Sequence, residues 1–263
     1  MWMYDLAQNR FFIFLGVYVF IFTLEYYFAA REHSDRYIRT IQNWLISITN
    51  TVLMYLVSLF LPLLLIGISY SISNQQVQLG FFNIINISYF YEFILGIILL
   101  DFIIWVQHFT THKVPFLWRF HKVHHADHEM DVSTGIRFHP IEIFISFVIK
   151  ILAVILLGID PFVILVFEIL LSSFALLTHA NLQLPKRLDK LFSYVFVTPN
   201  MHVIHHNPNR ELHDNNYGFC LSIWDRLFKT YVSYWTVDKP IIGLANEKSQ
   251  HNRYLKLIML PFK

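Results

Sequence analysis

Long apolar stretches dominate the chain, and the polar residues gather between them. The first stretch is "FFIFLGVYVFIFTLEYYFAA", residues 11–30. Others follow at about 44–69, 87–107, 141–159 and 162–178. Each approaches or exceeds the roughly 17–25 residues that cross a bilayer as a helix. The opening stretch is too long and too aromatic for a cleaved signal peptide, and no small-residue cleavage site follows it. The last two carry Lys150 and Glu168 and meet at "GIDP", the pattern of a helical hairpin that crosses the membrane wholly or in part. No repeat, linker or low-complexity stretch divides the chain. The pattern predicts an all-α fold: one domain over residues 1–263, a polytopic membrane bundle with a histidine-rich helical cap.

Basic residues orient this bundle, because short cytoplasmic loops retain Lys and Arg. The loop after the first stretch holds Arg31, Arg36 and Arg39, whereas "YSISNQQVQLGFFNIINISY" holds no Lys or Arg. The segment after the third stretch, "HKVPFLWRFHKVHH", is basic again. These signs place the first loop and the residues around His121 in the cytoplasm. The hairpin goes out and returns, so the chain from His179 onward reaches the same face.

Composition agrees. Hydrophobic residues are 56% and charged residues 14%, against about 25% charged in soluble domains. A net charge of +2 is too small to indicate nucleic acid. The lone cysteine, Cys220, excludes an intrachain disulfide, a cysteine metal cage and a cysteine-held iron–sulfur cluster.

The 14 histidines are the anomaly, because most are clustered. "HFTTH" holds His108 and His112, "FHKVHH" holds His121, His124 and His125, and "MHVIHH" holds His202, His205 and His206. On a helix, positions i and i+4 lie about 40° apart, and i, i+3 and i+4 share one face. That spacing makes a helix a multidentate nitrogen ligand, and imidazole suits iron, zinc, copper and nickel. Eight imidazoles exceed the needs of one ion; two ions sharing them is the natural count. His33, His128 and His251 stand apart and read as ordinary interfacial histidines. Asp101 lies in the third stretch, seven residues before His108, where a carboxylate can orient a histidine ring.

Several rivals fail on pattern. A ferritin-like centre needs Glu and Glu-x-x-His motifs, which are absent. "HEMDV" begins like a zinc protease motif but has Val132 at the second histidine position. A di-haem cytochrome pairs single histidines across two spans. A non-redox metal-binding or metal-transport protein stays open as the alternative, although histidines grouped at one face are unlike a pore lining.

The boxes and their flanks, "DFIIWVQH", "WRFHKVHHADHEMDVSTGIRFHPIE", "THANLQLP" and "NNYGFCLSIWDRLFKTY", resemble the fatty acid hydroxylase/sterol desaturase superfamily of membrane di-iron oxygenases over about residues 95–232. The resemblance implies metal ligation by the eight boxed histidines. It adds His179, which sits where members supply a further ligand, and His139 and His213 as other candidates. It implies two iron ions, with zinc an alternative occupant after purification. It also implies dioxygen, a lipid substrate and hydroxylation, desaturation or ether cleavage. The chain has no G-x-G-x-x-G dinucleotide motif, so electrons must come from a separate ferredoxin, cytochrome or reductase. Lys113, Arg119 and Lys122 offer such a carrier a basic surface. Two positions depart from the pattern: Phe109 replaces the usual arginine after the first box histidine, and Lys113 occupies a place where some ether-cleaving members carry glutamate.

Overall fold

The computed structural model describes residues 2–73, 80–85, 87–237, 240–245 and 253–263, the side chains of 2–5, 7, 8 and 60–73 excepted. Among the described residues the regular structure is helical, apart from one isolated bridge between Phe196 and Leu221. Helices α1 (Trp2–Phe28), α2 (Arg36–Ser73), the short α3 (Phe81–Ile85), α4 (Tyr89–Lys113), α6 (Pro140–Leu157) and α7 (Pro161–His179) make the bundle. Among the described residues, four stretches are long and apolar enough to cross a membrane: Asn9–Phe28, Tyr89–Lys113, Pro140–Leu157 and Pro161–His179. They match the first, third, fourth and fifth expected spans, so both arms of the hairpin reach full crossing length. The second expected span lies within α2, but its side chains from 60 to 69 fall outside the described residues, as does His251.

Helix starts and stops follow local chemistry. Prolines occupy the first turn of α5 (Pro115–His125), α6, α7 and α9 (Pro199–His205), where a missing N–H costs nothing. Asp160 caps α7 by accepting from Phe162 N at 2.8 Å, and Thr198 caps α9 by accepting from Met201 N. Helix α6 ends at Gly158, whose φ of 70° suits glycine. A Cβ at Gly158 would also meet the Asn83 amide at 2.8 Å, so the turn between α6 and α7 needs glycine twice over.

Spans α4, α6 and α7 pack through Leu100, Ile104, Ala153, Val163 and Phe167. A second cluster joins α1 to α7 through Tyr18, Ile21 and Leu176. Many large apolar residues point outward instead, among them Phe12, Phe20, Phe90, Leu152 and Leu156. A bundle solvated by lipid has this arrangement, since hydrocarbon wets such side chains while backbone polar groups stay bonded within helices.

The histidine-bearing helices close one end of the bundle. The C-terminal ends of α1, α4 and α7 and the N-terminal ends of α2 and α6 meet there. A 3-10 turn, Val132–Ile136, is wedged among them, and Gly135 presses so close to α7 that a Cβ would lie 2.6 Å from the Ala175 carbonyl. Buried charge ties this cap down. Arg39 bonds Asp127 at 2.9 Å and also Asp131, Arg36 bonds Glu25 at 2.7 Å, and Arg31 reaches the Met130 carbonyl. Glu25 in turn accepts from Val132 N and Asn181 N. The arginines that mark orientation in the sequence are therefore structural partners as well.

Burial alone would raise the Asp131 carboxyl, but bonding to His33 and the Arg39 charge more than offset it and hold it below the usual carboxylate range. Unfolding returns it to about 3.9, so the unfolded chain binds the proton first as pH falls. The contribution is present above about pH 4 and is lost as pH drops through the folded value. Resistance to thermal unfolding in detergent micelles should weaken below about pH 6.5, where unfolding protonates the buried neutral histidines, and fall further below about pH 4, where Asp131 adds its share. An Asp131→Asn variant should show a shallower acid slope.

Candidate metal centre

Three helices and one helix end aim imidazoles at a common interior. Helix α4 presents His108 and His112 from its last turns. Helix α5, held to α4 by a tight turn at Val114–Pro115, presents His121, His124 and His125. The C-terminus of α7 gives His179, and α9 with its C-cap gives His202, His205 and His206. All nine are buried.

These nine rings form two adjoining cages. His108, His112, His121, His125 and His205 each offer a nitrogen, all within 4.8 Å of one another; His124, His179, His202 and His206 do the same. In the first cage the Nε2 atoms of His108 and His205 are 2.9 Å apart, and those of His108 and His121 are 3.1 Å apart. In the second, His179 Nε2 lies 2.9 Å from His124, 3.0 Å from His202 and 3.2 Å from His206. His125 and His206 stack at 4.4 Å between centroids, so the cages share a wall.

The tautomers show that these nitrogens suit a cation. His108 Nδ1 lies 2.7 Å from the Tyr217 carbonyl and His205 Nδ1 lies 2.7 Å from the Asn215 carbonyl. His179 Nδ1 meets the Ala175 carbonyl at 2.6 Å and His124 Nδ1 meets that of Arg137 at 3.3 Å. A carbonyl only accepts, so each Nδ1 carries the proton and each Nε2 is left with a bare lone pair. Burial, the largest cause in each case, holds His124, His125, His202, His205 and His206 well below the ordinary histidine range, which keeps the rings neutral. Bare lone pairs therefore face each other in both cages, an arrangement that repels unless a positive ion lies between them. With metal–nitrogen bonds of about 2.1 Å, ligands at right angles stand roughly 3.0 Å apart. The observed 2.9–3.2 Å agrees. His112 and His125 add buried Nε2 atoms without a protein hydrogen bond. The residues fit two metal ions.

The boxed histidines and His179 are thus brought together; His139 and Asp101 are not, and His213 stands at the rim. His139 caps α6: its Nδ1 accepts from Ile141 N and its Nε2 donates to the Ile258 carbonyl, leaving no lone pair for a metal. Asp101 touches no histidine. Its oxygens accept from Cys220 N, Leu221 N and, at 2.8 Å, Trp224 Nε1. It pins the loop whose Tyr217 carbonyl orients His108, so it acts one step further out than its spacing predicts. His213 lies outside the two cages but at the rim of the first, where it, His112 and Asp214 each offer a ligand atom within 4.8 Å of the others, and its ring stacks on Trp118 at 5.2 Å.

Two anchoring carboxylates escape the sequence reading. Glu142 bonds His121 Nδ1 at 2.6 Å. Asp225 accepts from Trp105 Nε1, Tyr217 N, Gly218 N and Thr230 Oγ1, all at 2.8–3.0 Å. Partners of metal-bound histidines typically govern metal affinity 10–100-fold. Asp225→Ala frees the Tyr217 carbonyl, so first-cage affinity should fall by roughly 10-fold or more while the second cage is spared. Metal titration with a competing chelator reads this directly.

A cavity of about 660 Å³ lies beneath the cages, between α1, α2, α4, α6 and α7. Its lining includes Phe219, packed on His108 at 5.0 Å, Phe138, stacked on His124 at 4.3 Å, and Glu142, bonded to His121. The volume suits a small ligand. The cavity thus reaches the walls of both cages.

Fold and site together define a membrane-helix protein with buried histidine clusters able to bind metal at one end of its bundle. The family model for fatty acid hydroxylases matches residues 93–230, more than half of the chain, and the chain belongs to that family. An ornithine lipid hydroxylase, OlsE, from Rhizobium tropici is 32% identical over 173 residues, covering 65% of this chain and 50% of the relative. An alkylglycerol monooxygenase from Caenorhabditis elegans is 28% identical over 155 residues, covering 58% and 29%. The human alkylglycerol monooxygenase is 29% identical over 159 residues, covering 59% and 33%. The chain therefore spans half or less of the length of these relatives. No solved structure matches it.

Proposed function

We propose that this protein is a membrane di-iron oxygenase that hydroxylates or desaturates a C–H bond of a lipid. The observation that carries the reading is the pair of adjoining cages, nine buried imidazoles in all, walled against a cavity inside a membrane bundle. Iron bound there supplies redox chemistry: with dioxygen and two electrons it oxidises an unactivated C–H bond. In hydroxylation, one oxygen atom enters the lipid and the other leaves as water, consuming two protons and two electrons. Nitrogen ligation leaves the centre open to zinc as well, which binds such sites more tightly than ferrous iron.

The protein's own groups set the conditions. Carbonyls of Tyr217, Asn215, Ala175 and Arg137 fix the ring tautomers. Phe138 and Phe219 screen the cages from the cavity with apolar rings. The chain offers no nucleotide-binding motif and one buried cysteine, so a separate carrier delivers the electrons. The relatives' names, ornithine lipid hydroxylase and alkylglycerol monooxygenase, support a lipid substrate. The loop charges support a cytoplasmic position for the cages, where soluble electron carriers reach them.

The test compares lipid extracts of cells expressing the wild type or His205→Ala, grown in ordinary oxygen or oxygen-18. A lipid heavier by one labelled oxygen atom, or lighter by two hydrogens, present only with the wild type, is the expected result. Identical lipid profiles in all cultures would overturn the proposal.

A further inference from the structure

The cavity below the cages holds three acceptors that lack donors. Asn50 is buried on α2, and its Nδ2 donates to the Phe138 carbonyl at 2.9 Å. That bond fixes the amide's direction, so Oδ1 remains an acceptor, buried and without a partner. Glu142 is buried on α6 with one oxygen on His121 Nδ1; the other, Oε2, is buried and unpartnered. Gln107, next to His108 on α4, likewise has a buried Oε1 without a partner. All three side chains line the same cavity. They approach from three helices at its metal end, where Phe138 and Phe219 also stand.

Leaving a buried acceptor unmatched costs about 1–3 kcal/mol, and natural interiors rarely tolerate it. Three such acceptors at one end of a cavity, none of these atoms bonded by a protein donor, match a ligand that brings donors. The remainder of the lining joins apolar residues, including Ile104, Ile136, Ile143 and Leu171, to hydroxyls such as Ser47, Ser146 and Ser172 and to the Lys150–Glu168 pair. The ligand therefore joins an apolar chain to a group rich in O–H or N–H.

Resting on the oxygenase reading, we propose that Asn50, Gln107 and Glu142 form a donor-recognition subsite. It takes lipids bearing hydroxyl or amide N–H groups and holds that polar group beside the first cage. The oxidised carbon is then close to the polar end of the lipid, with the hydrocarbon running down the cavity between α2, α6 and α7. A lipid with only ester or ether oxygens at that end offers acceptors to acceptors and is rejected.

Glu142→Gln inverts one element of the subsite. His121 Nδ1–H still needs an acceptor, so the new amide oxygen stays on the ring and the NH₂ group replaces Oε2. A donor then faces the cavity where an acceptor stood. Asn50→Asp complements it, keeping an acceptor toward the cavity while giving up the bond to Phe138.

Equilibrium binding to the metal-loaded protein in nanodiscs tests the subsite without turnover. One pair of probes is hexadecane-1,2-diol and its dimethyl ether. The other is N-hexadecylacetamide and its N-methyl derivative. The wild type should bind the donor-bearing member of at least one pair 10-fold or more tightly, and the favoured pair tells hydroxyl from amide. Glu142→Gln, loaded to the metal content of the wild type, should shrink that preference by 10-fold or more, whereas Asn50→Asp should retain it. Equal binding within both pairs, binding of neither pair, or a preference untouched by Glu142→Gln would overturn the subsite. Because no turnover is read, failure here leaves the oxygenase reading intact. Conversely, a donor preference in a protein that oxidises no lipid would sustain the subsite and remove the oxygenase.

Discussion

Replacing His179 with alanine should remove one metal per chain and abolish turnover. His179 is the hub of the second cage, with its Nε2 2.9–3.2 Å from those of His124, His202 and His206. Without it three nitrogens remain in that cage. Disturbing only the partner of a ligand typically costs 10–100-fold, so loss of the ligand itself should cost more than roughly 100-fold in activity. The first cage shares no ligand with the second and should keep its ion. Metal analysis of purified protein checks this. His139→Ala is the informative contrast: its ring caps α6 and bonds a carbonyl, so both metals should stay. Its loss should appear only as about 1 kcal/mol of stability. Loss of a metal in His139→Ala but not in His179→Ala would reverse the assignment of the two residues.

The second large effect lies outside the cages. Arg39→Met should destabilise the cap by about 3–5 kcal/mol, the usual result of stripping one partner from a buried ion pair. Arg39 is fully buried between Asp127 and Asp131. Burial draws its guanidinium down, but those carboxylates more than compensate and hold it above its ordinary value. The variant leaves Asp131 with His33 and a distant Arg36, while Asp127 keeps Arg137 at 3.5 Å. Asp131 also caps the 3-10 turn that presses on α7 below His179. Cap loosening should therefore lower the midpoint of thermal unfolding and the metal content together. Adding Asp131→Asn to Arg39→Met should restore much of the midpoint, because it removes the carboxylate left uncompensated while Asp127 stays paired with Arg137. An unchanged midpoint in the single variant would contradict the role given to this network.

The contrast between His179 and His139 also shows what a sequence can reveal. Spacing made the eight boxed histidines legible, because ligands at i, i+3 and i+4 of one helix leave a periodic trace. The apolar runs made the spans legible, since hydrocarbon demands about twenty apolar residues in a row. His179 and His139 look alike in isolation, each a single histidine at a helix end. Only their hydrogen bonds separate them: His179 has its Nδ1–H fixed and its Nε2 free, whereas both nitrogens of His139 are occupied. Asp101 was placed near the site by helical phase, yet a side chain also needs reach, and the indole of Trp224 and two backbone N–H groups claim it first. Asp225 and Glu142 act across 120 and 21 residues of sequence, respectively, where no local period points to them. The carbonyls that set the tautomers leave no trace in sequence, because every residue has one.

The most direct test of the two-cage account is metal analysis of detergent-purified protein from iron-57-grown cells, followed by Mössbauer spectroscopy. The account predicts about two irons per chain, one for each cage, with signals that show the two ions to be coupled. Zinc in place of iron would preserve the cages but remove the redox chemistry. One metal or none, in protein whose nine histidines are intact, would contradict the central claim that these rings form two cages for two ions.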